Sequence, residues 1–462
     1  MSHTLYTPNY LIRNPNEVLK NTRIGLYDNT DSQNNKQIKS LYGFTPEDRS
    51  GNQAQSRRLE LIVAGFINLH GHLAYSNIEL KSQALFAWLK ALLGQTLEGN
   101  PPANPSIHRP NSDKLDSKLQ DSPEFLACLT GAQEALSYGT TYFVDNTSGP
   151  ETSAAACLKA GLRALIGLEV FGSEPARAEE IFARCSERLQ SLQSNDLIDF
   201  CFSPHASYDV SPKLWSLLSQ HSQEHDLLTL SHVGESAAEE AWFRDKDSQE
   251  AQSAREFWQS INTLEPKLSQ WQPHKGSVDY LHSNSMLQGQ QLFAHGVHLN
   301  REALEVLKEH NVSLVTCPRS NLFLENGLPD YQTWFDLDLD FGVGTDSKAS
   351  NYDLDLRKEV NSIPGLTSKQ KLELLTTKPA KILGKQDQLG QLDAGYLADY
   401  TVFEVQLDEI ASASPRNDLI ASTTSHCEAE PKQSQILDLL FDTEATKVKE
   451  VYINGECKYS SC

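Results

Sequence analysis

Two histidines, His70 and His72, flank a single glycine at the end of an apolar run (61–69, LIVAGFINL). Along a strand, positions i and i+2 share a face, so both imidazoles would project together at its C-terminal end. Two imidazoles make half of a transition-metal site. The pair alone is weak: with 14 histidines in 462 residues, about 0.4 His-x-His pairs arise by chance. Its company matters more. His232 closes a second β-rich run and is followed by Glu235 in Ser231-His-Val-Gly-Glu-Ser236. His295 lies in a third, and Asp346 ends a fourth in Gly344-Thr-Asp-Ser347. Three imidazoles and a carboxylate are an ordinary donor set for Zn²⁺ or Fe²⁺. These groups meet only if the strand ends that carry them converge.

The elements that would do this are legible. Short β-rich runs recur at 61–69, 140–146, 163–171, 198–204, 227–232, 292–299, 312–317 and 340–345. Helix-like stretches at 120–138, 153–161, 175–193, 212–224, 301–310 and 353–362 fill most intervals. Strand alternating with helix predicts a parallel sheet, and eight such units predict an α/β fold of the (β/α)₈ TIM-barrel type over 61–387. Two intervals are too long for plain loops. Residues 73–138 hold an apolar helix-like piece (84–93) and a Pro/Asn/Ser-rich stretch (95–122). Residues 236–290 are charged and rich in Gln and Ser. Both follow strands on the catalytic face of such a barrel, where long segments act as lids or form surface insertions. Residues 1–60 and 388–462 carry short strand-like runs at 9–12, 23–28, 399–404 and 448–454, which predict a small β-sandwich built from both chain ends.

Composition removes several classes. The formal net charge of −21 disfavours nucleic acid and anionic membranes as partners. No apolar run of about 18 residues is present, and the first residues do not read as a secretory signal. The eight cysteines include no Cys-x-x-Cys pair. They read as reduced thiols of a cytoplasmic protein, and the zinc deaminases that need Pro-Cys-x-x-Cys are excluded.

Taken in order, the motifs resemble the amidohydrolase superfamily, in its branch of cytosine, guanine and adenosylhomocysteine deaminases and triazine hydrolases. The matching stretches are AGFINLHGHL (64–73), GTTYFVDNT (139–147), SPHASYDVS (203–211), SHVGES (231–236), HGVHLN (295–300), CPRSN (317–321), GTDSKASN (344–351) and QLGQLDAGYLADYTVFE (388–404). The resemblance implies that His70, His72, His232 and Asp346 bind metal. It implies that Asp346 also takes a proton from the attacking water, that Glu235 shuttles protons to the substrate ring, and that His295 orients the water or the developing tetrahedral centre. Binuclear relatives carry a lysine on the fourth strand. Here that strand reads Ile-Asp-Phe-Cys-Phe-Ser-Pro-His, so one divalent ion is expected, zinc ahead of iron. Glu169 on the third strand is read as a structural acid. His205 at the fourth strand end is expected to face substrate. Ser347, Asn351 and Trp88 are further candidates for substrate contact, and Arg319 is expected to hold a loop.

Within the branch, Phe86-x-Trp-Leu89, Leu168-Glu-Val-Phe-Gly172 and 344–351 look most like the aminodeoxyfutalosine deaminases of menaquinone synthesis. Departures are Ala64 for a usual proline, Gly71 for threonine or cysteine, and Ala87 where adenosylhomocysteine deaminases have a glutamate for the ribose hydroxyls. Asp209 or Glu79 could replace that acid. The expected activity is metal-dependent deamination of an adenine-like nucleoside. The expected partner is a small-molecule substrate, with a homodimer as an open option. The alternatives are a hydrolase of another C–N or C–Cl bond at the same site, and a non-catalytic barrel relative.

Overall fold

A computed structural model describes residues 4–6, 8–20, 22–26, 37–43, 58–99, 117–406 and 432–461. The predicted stretch 95–122 therefore lies largely outside the described residues. Eight parallel strands form one sheet in sequence order: Phe66–Gly71, Thr140–Thr147, Arg163–Val170, Ile198–Pro204, Thr229–Val233, Gln291–His295, Ser313–Thr316 and Phe341–Val343. The eighth returns to the first. The amides of Thr345 and Asp346 donate to the His70 carbonyl at 3.1 and 3.0 Å, and Gly71 bridges Asp346. The sheet is thereby closed into the expected barrel. Its strands are buried on both faces, which explains their near-continuous apolar runs. Alternate residues (Ile67, Leu69, Val144, Leu165, Leu230, Val315) fill the interior, while Phe66, Phe143, Ile166 and Phe341 pack outward.

The run 61–69 is two strands rather than one. Arg58–Ala64 pairs antiparallel with Tyr400–Gln406, and the barrel strand begins only at Phe66. Gly65 joins them. A Cβ there would sit 2.0 Å from Thr141 Oγ1, so only glycine passes at this corner. The expected boundary at residue 61 therefore falls inside a strand of the terminal sheet.

The chain ends build the predicted sandwich. A six-stranded sheet runs Glu456–Ser460, Thr446–Ile453, Tyr400–Gln406, Arg58–Ala64, Tyr10–Asn14, Glu17–Lys20, and a three-stranded sheet holds Thr4–Tyr6, Thr22–Leu26 and Ile38–Gly43. Leu11, Ile62, Tyr400 and Val402 of the larger sheet meet Ile24 and Ile38 of the smaller. The opposite face (Leu61, Val63, Phe403, Val405) joins the main core. A buried pair, Arg163 Nε to Asp399 Oδ2 at 2.9 Å, ties the third barrel strand to this sheet.

The polar segment 236–290 is an ordered helical subdomain. Its helices are Ala237–Arg244, Gln252–Ser260, Leu264–Leu268 and Ser277–Ser283. Few apolar residues occur in it, but they share faces: Trp242, Phe243, Phe257 and Trp258 pack on Phe86 and Tyr208. No helix among the described residues is long and apolar enough to cross a membrane.

Candidate active site

The C-terminal strand ends bring the sequence-predicted groups together. Ligand atoms of buried His70, His72 and His232 lie within 4.8 Å of one another. Nδ1 of His72 donates to the Asn146 carbonyl at 2.8 Å, and Nδ1 of His232 donates to the His205 carbonyl at 2.6 Å. Both Nε2 atoms are left as lone pairs, facing each other at 3.3 Å. Two acceptors at that distance repel unless a cation sits between them. His70 Nε2 is buried and bonds to no atom of the described residues. Asp346 Oδ1 lies 3.6 Å from His70 Nε2 and 3.5 Å from His72 Nε2. Burial pulls all three imidazoles below the ordinary histidine range, most strongly His232, which keeps them neutral. Neutral imidazoles with unpaired Nε2 atoms beside a carboxylate fit a divalent cation. A cation on His70 Nε2 leaves Nδ1 protonated, so the Asn146 amide, 2.9 Å away, would present its oxygen to that proton and its nitrogen to Ser203.

Asp346 is fixed by two hydroxyls: Ser320 and Ser350 donate to its Oδ2 at 2.6 and 2.9 Å. Burial would raise its carboxyl, but positive charge on the side of His70, His72 and His295 lowers it well below the usual carboxylate range. Its backbone is left-handed (φ 58°), as is that of His295 (φ 76°). Both are conformations that surrounding structure must impose.

Glu235 would face away from His232 along an ideal strand. Gly234 (φ 65°) turns the chain instead. Buried Glu239 holds the turn: its carboxyl oxygens accept from the amides of Gly234 (3.1 Å) and Glu235 (2.8 Å) and from Ser207 Oγ (2.8 Å). The Glu235 carboxylate thereby reaches His295 Nε2 at 3.7 Å. Burial raises its pKa, with Asp346 adding to the effect and His295 opposing it. His295 Nδ1 donates to Asn321 Oδ1 at 2.9 Å, which aims Nε2 at the site.

His205 stacks on Phe171 at 4.4 Å and lies 5.0 Å from the His232 ring. Burial works against charge on it, but the hydrogen bond and charge of Asp209 outweigh burial and raise its pKa. Three expected substrate contacts have their polar groups engaged elsewhere. Trp88 Nε1 donates to the Ala349 carbonyl, and its ring packs with Leu85, Leu92 and Phe323. Ser347 Oγ caps the turn Lys348–Ser350. Asn351 bonds Thr345 O, Glu359 and the Tyr352 amide. The hydrogen bonds of these residues are thus made within the protein. Asp209 is likewise occupied, by His205 and Lys267. Glu79 is exposed. Arg319 holds a loop through Asp353 and Glu359, as expected. Glu169 is buried with Oε1 3.9 Å from His72 Nδ1, outside hydrogen-bond range, so the structural bond expected for it is absent among the described residues.

Asn146, Asn321, Ser320 and Glu239 were not singled out by sequence reasoning. The first three sit inside motifs quoted for their neighbours (GTTYFVDNT and CPRSN), which was the available signal.

Comparison with known proteins agrees with this geometry. The sequence profile of the amidohydrolase family matches residues 61–457. The chain belongs to the amidohydrolase family. It is accordingly a hydrolase of carbon–nitrogen bonds. A 5-methylthioadenosine/S-adenosylhomocysteine deaminase of Syntrophomonas wolfei is 26% identical over 406 residues, covering 84% of this chain and 83% of the relative. Among solved structures, an adenosine deaminase from Xanthomonas campestris with bound zinc superposes with a TM-score of 0.69 at 20% identity, covering 98% of this chain and 92% of the other. Aminofutalosine deaminase of Helicobacter pylori, in complex with methylthio-coformycin, superposes with a TM-score of 0.70 at 20% identity, covering 97% and 98%.

Proposed function

We propose that this enzyme deaminates the adenine ring of a small nucleoside. The observation that carries the reading is the facing of two sets of groups: the His70–His72–His232–Asp346 cluster, and the buried Glu235–His295 pair beside it. When bound by that cluster, a divalent ion, zinc by its nitrogen-rich donors, would supply a water that ionises near neutral pH. Asp346, already an anion, accepts the proton lost by the attacking water. Glu235, with its raised pKa, delivers a proton to the ring nitrogen next to the carbon under attack and makes that carbon electrophilic. His295 hydrogen-bonds the oxygen of the tetrahedral centre. A proton returned to the exocyclic amine lets ammonia leave, and the ring keeps the new oxygen as a carbonyl. His205 contacts the ring or ribose from the fourth strand end.

Among adenine nucleosides, aminodeoxyfutalosine is the substrate the Phe86–Leu89 and Leu168–Gly172 segments favour, which would put the enzyme in menaquinone synthesis in the cytoplasm. The likeness to aminofutalosine deaminase supports this choice. Glu235→Gln tests the chemistry. It should keep its metal and fold while kcat falls about 10²- to 10⁴-fold, as for loss of a general acid. A Gln variant with wild-type kcat would remove Glu235 from the mechanism.

A further inference from the structure

Lys267 belongs to the helical subdomain, on the short helix Leu264–Leu268, yet it is one of the most buried cations of the molecule, with 3% of its side chain exposed. A lysine so placed needs fixed acceptors. Its ammonium donates to the Tyr208 carbonyl at 2.6 Å and to Asp209 Oδ1 at 2.7 Å, and it lies over the rings of Trp258 (5.0 Å) and Tyr208 (5.8 Å). The other oxygen of Asp209, Oδ2, accepts from His205 Nδ1 at 2.8 Å. With one oxygen held by the lysine, the carboxylate has a single orientation left for the histidine. His205 Nδ1 is then fixed as a donor, and Nε2 is the ring nitrogen that no described residue bonds.

We infer that Lys267 is a positioning residue for the substrate-facing histidine: it pins Asp209, and Asp209 sets the plane and tautomer of His205. The helical subdomain thus completes the substrate side of the site through one buried cation. This explains why a polar insertion is packed so firmly on the barrel mouth, with Trp242, Phe243, Phe257 and Trp258 buried beneath it.

Crystal structures of the metal-loaded wild type and Lys267→Met give the first test, which is independent of any substrate. The inference expects the Asp209–His205 bond to be lost or the His205 ring to rotate, with the metal histidines in place. A His205 ring unmoved in Lys267→Met overturns it. The second test rests on the deaminase reading and uses 5′-methylthioadenosine with ammonia release as readout. Lys267→Met should raise KM about 10- to 100-fold, with kcat less affected and metal content unchanged. His205→Ala should raise KM similarly, and the double variant should be no worse than His205→Ala alone, because both changes act through one contact. Additive losses would overturn the inference. If Lys267→Met does not fold, Asp209→Asn, which keeps the side-chain shape, goes through the same structures and the same cycle. An unmoved ring or additivity there overturns it equally. Failure of the wild type to release ammonia would count against the deaminase reading and leave the crystallographic result to decide the positioning role.

Discussion

At the scale of residues, the site is a set of orientation problems solved by carbonyls, amides, hydroxyls and a carboxyl on the far side of each group. Each metal-facing or proton-moving group has a partner fixing its far side: Asn146 and the His205 carbonyl for the histidines, Ser320 and Ser350 for Asp346, Asn321 for His295, Glu239 for Glu235. Glu239 offers a pH test. Burial, with Glu240 adding, pushes its carboxyl from 4.5 up to about 8. The folded state therefore binds this proton across neutrality while the unfolded chain does not. The stability it contributes is full below about pH 4.5 and is lost as pH rises through about 8. Thermal melts of the wild type and Glu239→Gln between pH 5 and about 9 should show a steeper decline in the wild type. Parallel curves would mean that Glu239 is ionised in the fold. The convergence of His70, His72, His232, His295 and Asp346 was legible in sequence, because strand period and strand ends dictate where they go. Trp88, Ser347 and Asn351 were read as substrate contacts, and in the structure their polar atoms bond to Ala349, Ser350, Thr345 and Glu359. Those bonds depend on how the loop after the eighth strand folds back, and spacing does not encode that.

At the scale of elements, the barrel's closing seam runs through the histidine cluster that could hold a metal. The His70 carbonyl accepts the amides of Thr345 and Asp346, so the first and eighth strands close through a residue of that cluster. Gly344 makes the approach possible: a Cβ there would lie 2.7 Å from the His70 carbonyl oxygen and 2.8 Å from its amide nitrogen. Backbone on that side cannot yield as a flexible side chain would. Gly344→Ala should destabilise the fold by about 1–3 kcal/mol and weaken metal retention in step, read by denaturant melts and elemental analysis. A stable variant that loses no metal would show that the seam tolerates opening. Strand existence was readable from apolar runs. The break at Gly65 was not, because Arg58–Ala64 and Phe66–Gly71 read as one continuous hydrophobic stretch and are separated only by which sheet each joins. The order of the 236–290 segment was not readable for the opposite reason: its composition is polar, and its four buried aromatics become a core only once helical periodicity stacks them on Phe86 and Tyr208.

At the scale of the whole molecule, three parts divide the work. The terminal sandwich braces the barrel through Arg163–Asp399 and the apolar face of its larger sheet. The barrel supplies the metal and proton-moving groups, and the helical subdomain reaches the substrate side through Lys267. The net charge of −21 lies on a protein whose site cations are paired internally: Lys267 with Asp209, Arg319 with Asp353, Lys348 with Glu134. The central claim is that the buried histidine cluster holds a divalent ion that the chain uses to release ammonia from an adenine nucleoside. Ammonia release from 5′-methylthioadenosine, 5′-deoxyadenosine and aminodeoxyfutalosine should be measured on the purified protein before chelation, after it, and after zinc is restored. The account predicts about one zinc per chain, turnover of at least one of the three, loss of turnover on chelation and recovery with zinc. A folded, zinc-loaded protein that releases ammonia from none of them, or turnover that survives metal removal, would contradict it.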